Sequence, residues 1–238
     1  MTDKKVRWGL LSTARINERL MEPIRNEVRS ELVAVASRDR KKAEDYARHW
    51  KIPRAYGSYE QLLADGDIDA IYVSLPNGLH TEWSVKCADA GKHVLCEKPL
   101  VLTVAEVDQM EQAARRNGVI IQEAAMMGYH PQTNYIRQLV SGGAIGQVCL
   151  VRGLFSYVLE NPDDVRMDPE QGGGALWDLG SYCVRFMRTV IGQEPQEVSA
   201  SQISSERGVD LSFSAQLGFP SGACGQFYCS FQAFGHVE

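Results

Sequence analysis

The stretch RWGLLSTARIN, residues 7–17, joins an apolar run to a segment with the spacing of a helix. With Val6 the run reads VRWGLL, which predicts a β-strand, and the helix that follows is predicted to continue to about Asn26. A strand that leads into a helix is half of a strand–helix–strand unit, and the repetition of that unit decides the fold.

Residues 31–124 repeat the unit. Further apolar runs predict the strands ELVAVAS (31–37), IDAIYVSLP (68–76), KHVLCEK (92–98) and VIIQEA (119–124). Helical segments at 40–50, 59–65, 80–91 and 104–118 separate them, and Thr103 with Glu106 forms a capping box for the last. Apolar strands that alternate with helices indicate a parallel sheet covered on both faces. We therefore predict an α/β fold whose N-terminal part, residues 1–121, is a doubly wound Rossmann domain.

Residues 122–238 follow a different pattern. Helices are predicted at 133–143 and 175–192 and strands at 147–158, 209–219 and 223–234, the last two joined as a hairpin. In VDLSFSAQLGF (209–219) the odd positions are apolar and the even positions, from Asp210 to Gly218, are polar or small, which indicates an antiparallel strand with one wet face. We predict a C-terminal α+β domain with a predominantly antiparallel, open-faced sheet. Because no partner strand is evident after residue 234, we expect this domain to be incomplete.

Composition excludes several classes of protein. The net charge is −5 without a basic stripe, which argues against nucleic acid as a partner, and no apolar run approaches the roughly 20 residues that span a bilayer. The six cysteines form no C-x-x-C pair, so we expect no metal site and reduced core cysteines. These features predict a cytoplasmic protein.

The loop after the first strand stands where a dinucleotide-binding protein carries G-x-G-x-x-G, but Ser12, Ala14 and Asn17 occupy the three glycine positions. A serine can make the turn and offer its hydroxyl to a phosphate, and alanine still lets the backbone come close. The loop of Ser12, Thr13, Ala14, Arg15 and Ile16 is therefore a candidate for pyrophosphate binding. An ordinary strand-to-helix turn is the alternative.

The second strand ends at Ser37 and Arg38, where the adenosine ribose of a dinucleotide would lie. An arginine suits a 2′-phosphate, so NADP is the preferred cofactor and NAD the other candidate. A solvated charge at a helix start is the alternative reading of Arg38.

Five motifs follow one another in the order seen in a known family: PNGLH (76–80), CEKPL (96–100), EAAMMGYHPQ (123–132), GAIGQV (143–148) and GGGALWDLGSYCV (172–184). Together they resemble the glucose-fructose oxidoreductase/inositol dehydrogenase/rhizopine-catabolism (Gfo/Idh/MocA) family. The glycine-poor opening is similar to the branch of dimeric dihydrodiol dehydrogenases and NADP-dependent D-xylose dehydrogenases. That likeness favours a working cofactor loop.

The resemblance implies a role for each matching residue. Lys98 would contact the nicotinamide ribose and the reacting substrate oxygen, Glu97 would position it, and the bond to Pro99 would be cis. Asp178 and Tyr182 match the motif whose last residue transfers a proton, and His130 either borders the substrate or serves as a cap or core residue. The residues that would line the nicotinamide end of the cofactor are Pro76, Asn77 and His80, and Leu75 beside them is a further candidate for cofactor binding.

The chemistry of these side chains agrees with the implied roles. Asp178 and Tyr182 are four residues apart on a predicted helix and so would share a face. Hydride transfer at a carbinol carbon needs a matching proton transfer at its oxygen, and a phenol serves near neutrality when an ammonium group lowers its pKa. We expect Lys98 and Tyr182 to meet over the nicotinamide ring. Met127 and Gly128 replace an aromatic residue and an arginine common in the branch, which puts the substrate contacts of that segment in doubt.

The sequence thus predicts an NAD(P)-dependent oxidoreductase that acts on a sugar, cyclitol or dihydrodiol, with a polyol or carbonyl compound as substrate. We also expect a homodimer or higher homo-oligomer through the C-terminal sheet, if that sheet is complete. Two alternatives remain open: an NAD-dependent, glycosidase-like enzyme without net redox, and a truncated, non-catalytic NAD(P)-binding protein.

Overall fold

The computed structural model describes residues 4–237, which divide after Ala124 into two compact units, unit 1 and unit 2. The sequence predicts a boundary after residue 121. Each unit has its own sheet and its own buried core.

Unit 1 contains a six-stranded sheet in the order β3-β2-β1-β4-β5-β6, and every neighbouring pair is parallel. The strands are β1 (Val6–Leu11), β2 (Ser30–Ala36), β3 (Arg54–Tyr56), β4 (Ala70–Val73), β5 (His93–Cys96) and β6 (Ile121–Glu123). The predicted Rossmann-type sheet is confirmed. Because β1 pairs with both β2 and β4, the strand order reverses there and opens a crevice at the carboxyl ends of these strands.

Helices connect the strands of unit 1. They are α1 (Glu18–Asn26), α2 (Arg40–Trp50), α3 (Tyr59–Leu63), α4 (His80–Asp89) and α5 (Val104–Asn117), and a short 3-10 turn (Arg15–Asn17) precedes α1. The predicted capping box is present, since Thr103 Oγ1 accepts the Glu106 N–H and the Glu106 carboxylate accepts the Thr103 N–H. Two apolar clusters, one on each face, form the core. Gly9 lets the layers approach, because a Cβ there would lie 3.0 Å from Ile71 Cδ1.

An ion pair fastens the amino end of the sheet. The Arg7 side chain donates from Nε to Asp69 Oδ2 at 2.9 Å and from Nη2 to Oδ1 at 3.0 Å, and the Arg7 backbone N–H also donates to Oδ2. These hydrogen bonds and the charge of Arg7 hold the pKa of the Asp69 carboxyl well below its usual range. The pair joins β1 to the loop before β4, at the end of the sheet opposite the crevice.

Unit 2 contains a five-stranded sheet in the order β11-β7-β10-β9-β8. The strands are β7 (Leu150–Ser156), β8 (Glu197–Ser204), β9 (Asp210–Gly218), β10 (Cys224–Ser230) and β11 (His236–Val237). Among the described strands of this unit, only β7 and β10 pair in parallel, so the predicted, predominantly antiparallel sheet is confirmed. The helices of this unit are α6 (Pro131–Ser141) and α7 (Ser181–Ile191).

One face of this sheet carries the core of unit 2. Leu179, Cys183, Met187 and Val190 pack against inward-facing residues of β7, β9 and β10. The odd positions of β9 supply part of this core, as the alternation predicts.

The expected wet face of β9 needs one correction. Ser212 is only 4% exposed, and its Oγ lies 2.7 Å from that of Ser230. The chain after β10 covers these serines. The Gln232 N–H donates to Ser230 Oγ, and Ser156 Oγ donates to the Phe234 carbonyl. The buried serine hydroxyls form hydrogen bonds with one another and with the backbone. This end of the polar face is therefore covered, and its hydroxyl groups keep hydrogen-bond partners.

In the part of the chain that the structure describes, no helix combines the length and the apolar character that crossing a membrane requires.

Candidate functional site

The loop after β1 turns at Ser12, which has φ +145°. A residue with a Cβ rarely adopts this conformation, and glycine is the usual residue where it is needed. Ser12 thus takes the backbone shape of the first fingerprint glycine without being one. Its Oγ accepts the Ala14 N–H at 3.1 Å, which closes the turn before the helix.

Two buried polar side chains hold this turn. Asn17 Nδ2 donates to the Ser12 carbonyl at 2.8 Å, and Ser74 Oγ donates to Asn17 Oδ1 at 2.6 Å. The Ser12 and Ser74 hydroxyls lie 2.8 Å apart. Ser12 follows β1 and Ser74 follows β4, so this cluster lies at the reversal of strand order. Of the other predicted loop residues, Thr13 and Ala14 are half-buried, and Arg15 and Ile16 are exposed.

A cavity of about 360 Å³ lies beside Arg38, at the ends of β2 and β4. Leu75, Pro76, Leu79 and Trp83 give it an apolar wall, and Arg38 and Glu60 bring opposite charges to it. Trp83 is fixed by an edge contact with Tyr59 and by the Lys86 ammonium, 4.2 Å from its ring centre. Ser37 is buried, and its Oγ accepts the Asp39 N–H, which leaves Arg38 as the exposed residue at the strand tip. The cavity therefore brings together three predicted residues, Arg38, Leu75 and Pro76. It places Pro76 beside Arg38, the residue predicted for the adenosine ribose, whereas the resemblance assigns Pro76 to the nicotinamide end.

The Glu97–Lys98–Pro99 segment follows β5, and the Lys98–Pro99 bond is cis, as the resemblance implies. Glu97 Oε1 accepts the Tyr72 hydroxyl at 2.5 Å, and Oε2 accepts the Lys98 N–H at 3.2 Å. The Leu100 N–H donates to Glu123 Oε1 at 3.2 Å. The backbone on both sides of the half-buried Lys98 is thus tied to a carboxylate. Sequence reasoning misses Tyr72, because a tyrosine inside an apolar strand looks like an ordinary core residue.

His80 requires a correction. Its ring is 0% exposed, with Nδ1 2.9 Å from the Pro99 carbonyl and Nε2 2.8 Å from the Leu75 carbonyl. A fully enclosed ring does not line a ligand surface, so His80 instead links the loops after β4 and β5. Burial lowers the pKa of His80. Asn77 lies in the short turn before α4 and is half-buried.

In unit 2, Asp178 lies in a π-helical turn, Leu176–Gly180, that precedes α7. The predicted α-helix thus starts in another form, and the shared face of Asp178 and Tyr182, which is inferred from α-helical spacing, stays a prediction. Asp178 Oδ2 accepts the Tyr157 hydroxyl at 3.1 Å and Arg166 Nε at 2.9 Å. Burial raises the pKa of Tyr157, and the Asp178 carboxylate raises it further. Neither partner is predicted from the sequence, since Tyr157 and Arg166 lie in separate segments that only the fold brings to Asp178.

Tyr182 lies in the first turn of α7, and its ring centre is 5.6 Å from that of Phe155 on β7. The next turn carries Arg185, whose Nη2 would lie 3.0 Å from a Cβ on Gly128. Gly128, which departs from the branch pattern, therefore leaves room for the Arg185 guanidinium.

The triple glycine before the π-helical turn makes space for a carboxylate. Asp210 Oδ2 accepts the Leu176 N–H at 2.7 Å, and a Cβ on Gly174 would lie 2.0 Å from Asp210 Oδ1. Gly173 is close to backbone, since a Cβ there would lie 2.4 Å from the Arg166 carbonyl oxygen. Asp210 thus caps the helix that carries Asp178 and Tyr182.

His130 is the N-cap of α6. Its Nδ1 accepts the Gln132 N–H at 3.2 Å, and the residue is exposed. Of the roles considered for it, this geometry corresponds to the cap.

Comparison with known families gives two matches in succession. Residues 6–125 match the oxidoreductase family with an NAD-binding Rossmann fold, and residues 133–238 match the Gfo/Idh/MocA C-terminal domain. The chain belongs to the Gfo/Idh/MocA oxidoreductase family. The family named from its motifs is therefore confirmed.

Three relatives place this Gfo/Idh/MocA protein near the expected branch. It is 43% identical to an uncharacterised oxidoreductase, ORF334, of Rhizobium meliloti, over 91% of this chain and 66% of that protein. It is 39% identical to D-xylose 1-dehydrogenase (NADP(+)) 2 of Haloferax volcanii, with 94% and 69% covered. It is 37% identical to trans-1,2-dihydrobenzene-1,2-diol dehydrogenase of Mus musculus, with 94% and 68% covered. The chain spans about two thirds of the length of these relatives.

A solved structure resembles the fold closely. A mutant of KijD10, a 3-ketoreductase from Actinomadura kijaniata in complex with TDP-benzene and NADP, superimposes with a TM-score of 0.91 at 29% identity. The match covers 98% of this chain and 72% of that chain.

Proposed function

We propose that this protein is an NADP-dependent oxidoreductase that interconverts a carbinol and a carbonyl group on a sugar, cyclitol or dihydrodiol. The observation that carries the proposal is the anchoring of the Glu97 carboxylate by the Tyr72 hydroxyl and by the Lys98 backbone N–H at the carboxyl end of β5. A lysine held this way at the crevice of a Rossmann sheet suits contact with a substrate oxygen. The names of the D-xylose and dihydrobenzenediol dehydrogenases support the substrate class.

The residues of unit 1 fit a dinucleotide. The apolar wall formed by Leu79 and Trp83 suits an adenine ring, and the adjacent Arg38 suits the 2′-phosphate of NADP. Glu60 lines the same cavity, and its carboxylate suits the free ribose hydroxyls of NAD. NADP is proposed as the preferred cofactor because Arg38 stands at the tip of β2 and because the Haloferax relative is named for NADP(+).

The proposed reaction has balanced hydride and proton transfers. When bound, the nicotinamide accepts or donates the hydride. In the oxidising direction the carbinol C–H bond breaks and its electron pair leaves with the hydrogen, while the O–H proton passes to the Tyr182 oxygen, so that a C=O double bond remains. The Lys98 ammonium stabilises the developing negative charge on the substrate oxygen and favours the ionised phenol. In the reducing direction Tyr182 returns the proton.

Asp178 has an orienting role in this proposal. The Tyr157 hydroxyl and the Arg166 guanidinium fix one of its oxygens, and together they keep the carboxylate in one rotamer. An anchored carboxylate can then accept a hydrogen bond from a substrate hydroxyl in a defined direction.

The first experiment measures NADPH or NADH formation at 340 nm with a panel of aldoses, cyclitols and dihydrobenzenediols. Lys98→Met and Tyr182→Phe are expected to lower kcat by about 100-fold or more, which is the usual contribution of a positioned proton-transfer group. The matched variants Lys41→Met and Tyr135→Phe change exposed side chains of the same types and should retain wild-type kcat. Full activity in either Lys98→Met or Tyr182→Phe would contradict the assigned roles.

Cofactor choice is tested in the same assay. Arg38→Ala should raise KM for NADP about tenfold, since it removes a charge-assisted contact, and should leave KM for NAD nearly unchanged. Glu60→Gln should affect NAD more than NADP. Substrate cleavage without accumulation of NADPH would instead indicate redox-neutral chemistry, and failure of the wild-type protein to bind either dinucleotide would contradict the proposed function.

A further inference from the structure

The backbone of Ser12 has a conformation that its side chain disfavours. At φ +145° a Cβ conflicts with the neighbouring backbone, and the residue needs support from its surroundings to remain there. Ser12 is 8% exposed, Ser74 is 6% exposed and Asn17 is 0% exposed, so water does not supply that support. It comes from the protein.

The hydrogen bonds around Ser12 form a closed ring with a defined direction. Ser74 donates its one hydroxyl proton to Asn17 Oδ1, so the Ser12 hydroxyl donates toward Ser74, whose Oγ lies at 2.8 Å and whose carbonyl oxygen lies at 3.2 Å. Asn17 Nδ2 then donates to the Ser12 carbonyl and closes the ring. The Ser12 Oγ still accepts the Ala14 N–H. Reversing the Asn17 amide would bring two oxygens together at Ser12, so the ring has one consistent arrangement.

Two side chains of this ring stand at positions where the fingerprint has glycine, which carries no side chain. Ser12 and Asn17 stand at the first and third glycine positions, and Ser74 directly follows the neighbouring strand β4. Glycine would reach the turn without help but would leave it flexible. Here hydrogen bonds among the side chains of Ser12, Asn17 and Ser74 hold the turn in one conformation.

We propose that Asn17 and Ser74 are positioning residues that hold Ser12 in its glycine-like conformation and so preorganise the loop for the phosphates of the dinucleotide. This inference rests on the proposed function, because it concerns the same cofactor. A ring that only stabilised the fold would alter the melting temperature, whereas a positioning ring also alters affinity for the cofactor.

The test measures the dissociation constant for NADP by isothermal titration, together with the melting temperature. Asn17→Ala is expected to raise the NADP Kd about tenfold, which corresponds to about 1.4 kcal/mol. Ser74→Ala keeps the Asn17 bond to Ser12 and should raise Kd about threefold, corresponding to about 0.7 kcal/mol. The matched control is Ser84→Ala, which truncates another buried serine of unit 1 outside the ring and should leave Kd unchanged.

The decisive variant is a rescue. Ser12→Gly removes the Cβ that makes the turn unfavourable, so Ser12→Gly with Asn17→Ala should bring Kd back to within about twofold of the wild-type value. If Asn17→Ala raised the Kd only through lost packing around residue 17, the Kd would remain raised in the double variant. If Asn17→Ala does not fold, Ser74→Ala alone and with Ser12→Gly provides the same comparison.

The outcomes separate the two proposals. If the wild-type protein binds NADP and neither Asn17→Ala nor Ser74→Ala changes the Kd, this inference is overturned and the proposed function stands. The same holds if a variant raises the Kd and Ser12→Gly does not restore it. Failure of the wild-type protein to bind NADP or NAD overturns the proposed function and this inference with it.

Discussion

The Asp210 carboxylate accepts the Leu176 N–H at 2.7 Å and occupies the space that a side chain at Gly174 would need. Gly174 also has φ +124°, so both the clash and the backbone conformation exclude other residues. The glycine and the carboxylate therefore depend on each other, and the start of the helix that carries Asp178 and Tyr182 depends on both.

Gly174→Ala is expected to destabilise the protein by about 3 kcal/mol or more, because Asp210 must move and the cap is lost. The free energy of unfolding in urea measures this. Gly192→Ala is the matched variant, since Gly192 has φ +72° but open space around it, and it should cost only about 1 kcal/mol. Equal losses in the two variants would show that backbone conformation alone explains Gly174.

Tyr72→Phe removes the hydroxyl that holds Glu97 beside Lys98. We expect a loss of about 1–2 kcal/mol in stability and a fall of about tenfold in kcat, with the NADP Kd unchanged. Tyr56→Phe is the control: its hydroxyl donates to Asp65 at 2.7 Å in the same unit, away from Lys98. It should lower stability without lowering kcat. If the two variants have a similar kcat, Tyr72 does not position Lys98.

The Arg7–Asp69 pair predicts how stability depends on pH. The pKa of Asp69 in the folded protein lies below its value in the unfolded chain, chiefly because Arg7 donates hydrogen bonds to the carboxylate. The pair therefore stabilises the fold above about pH 4, and the stabilisation is lost as pH falls through the folded-state pKa.

The melting temperature of Asp69→Asn should accordingly lie below that of the wild-type protein at pH 7, and the difference should shrink below about pH 4. Asp67→Asn alters a far more exposed partner of Arg7 and should have a smaller effect at every pH. A difference that stays constant down to pH 2 would contradict the assignment to Asp69.

Arg166→Met frees the Asp178 carboxylate from its anchor. We expect kcat to fall about tenfold because the carboxylate loses its fixed rotamer, while the NADP Kd stays the same. Arg207→Met serves as the control, since Arg207 contacts the same loop at the Pro162 carbonyl without touching Asp178. Wild-type kcat in Arg166→Met would mean that Asp178 is oriented by other contacts.

Much of the fold follows from hydrophobic periodicity. In unit 1 the central strands are mostly apolar, so β1, β2, β4 and β5 are all predicted. The bounds of β1 and β2 are predicted to within one residue, whereas β4 and β5 are predicted too long, at 68–76 and 92–98. The strands β3, β8 and β11 are not predicted. The strands β3 and β11 have three and two residues, and β8, EVSASQIS, mixes polar and apolar residues on both faces, so none of them carries the apolar pattern that identifies a strand.

Only those residues of the candidate site that lie within a sequence motif could be predicted. The segment around Lys98 and the helix with Asp178 and Tyr182 are visible in the sequence, whereas Tyr72, Tyr157 and Arg166 act through contacts that depend on the fold. The enclosure of His80 and the π-helical turn at Asp178 also escape sequence patterns, because both result from tertiary packing. The roles of the site residues, the domain boundary and the homo-oligomer remain predictions.

The edge strand β8 has a consequence for motion within unit 2. All of its residues are exposed, and β9 is its neighbour in the sheet, so its opening would break hydrogen bonds but uncover little apolar surface. Its amide hydrogens should exchange with deuterium through fraying of this edge, whereas those of β10, between two strands and above α7, should wait for global unfolding.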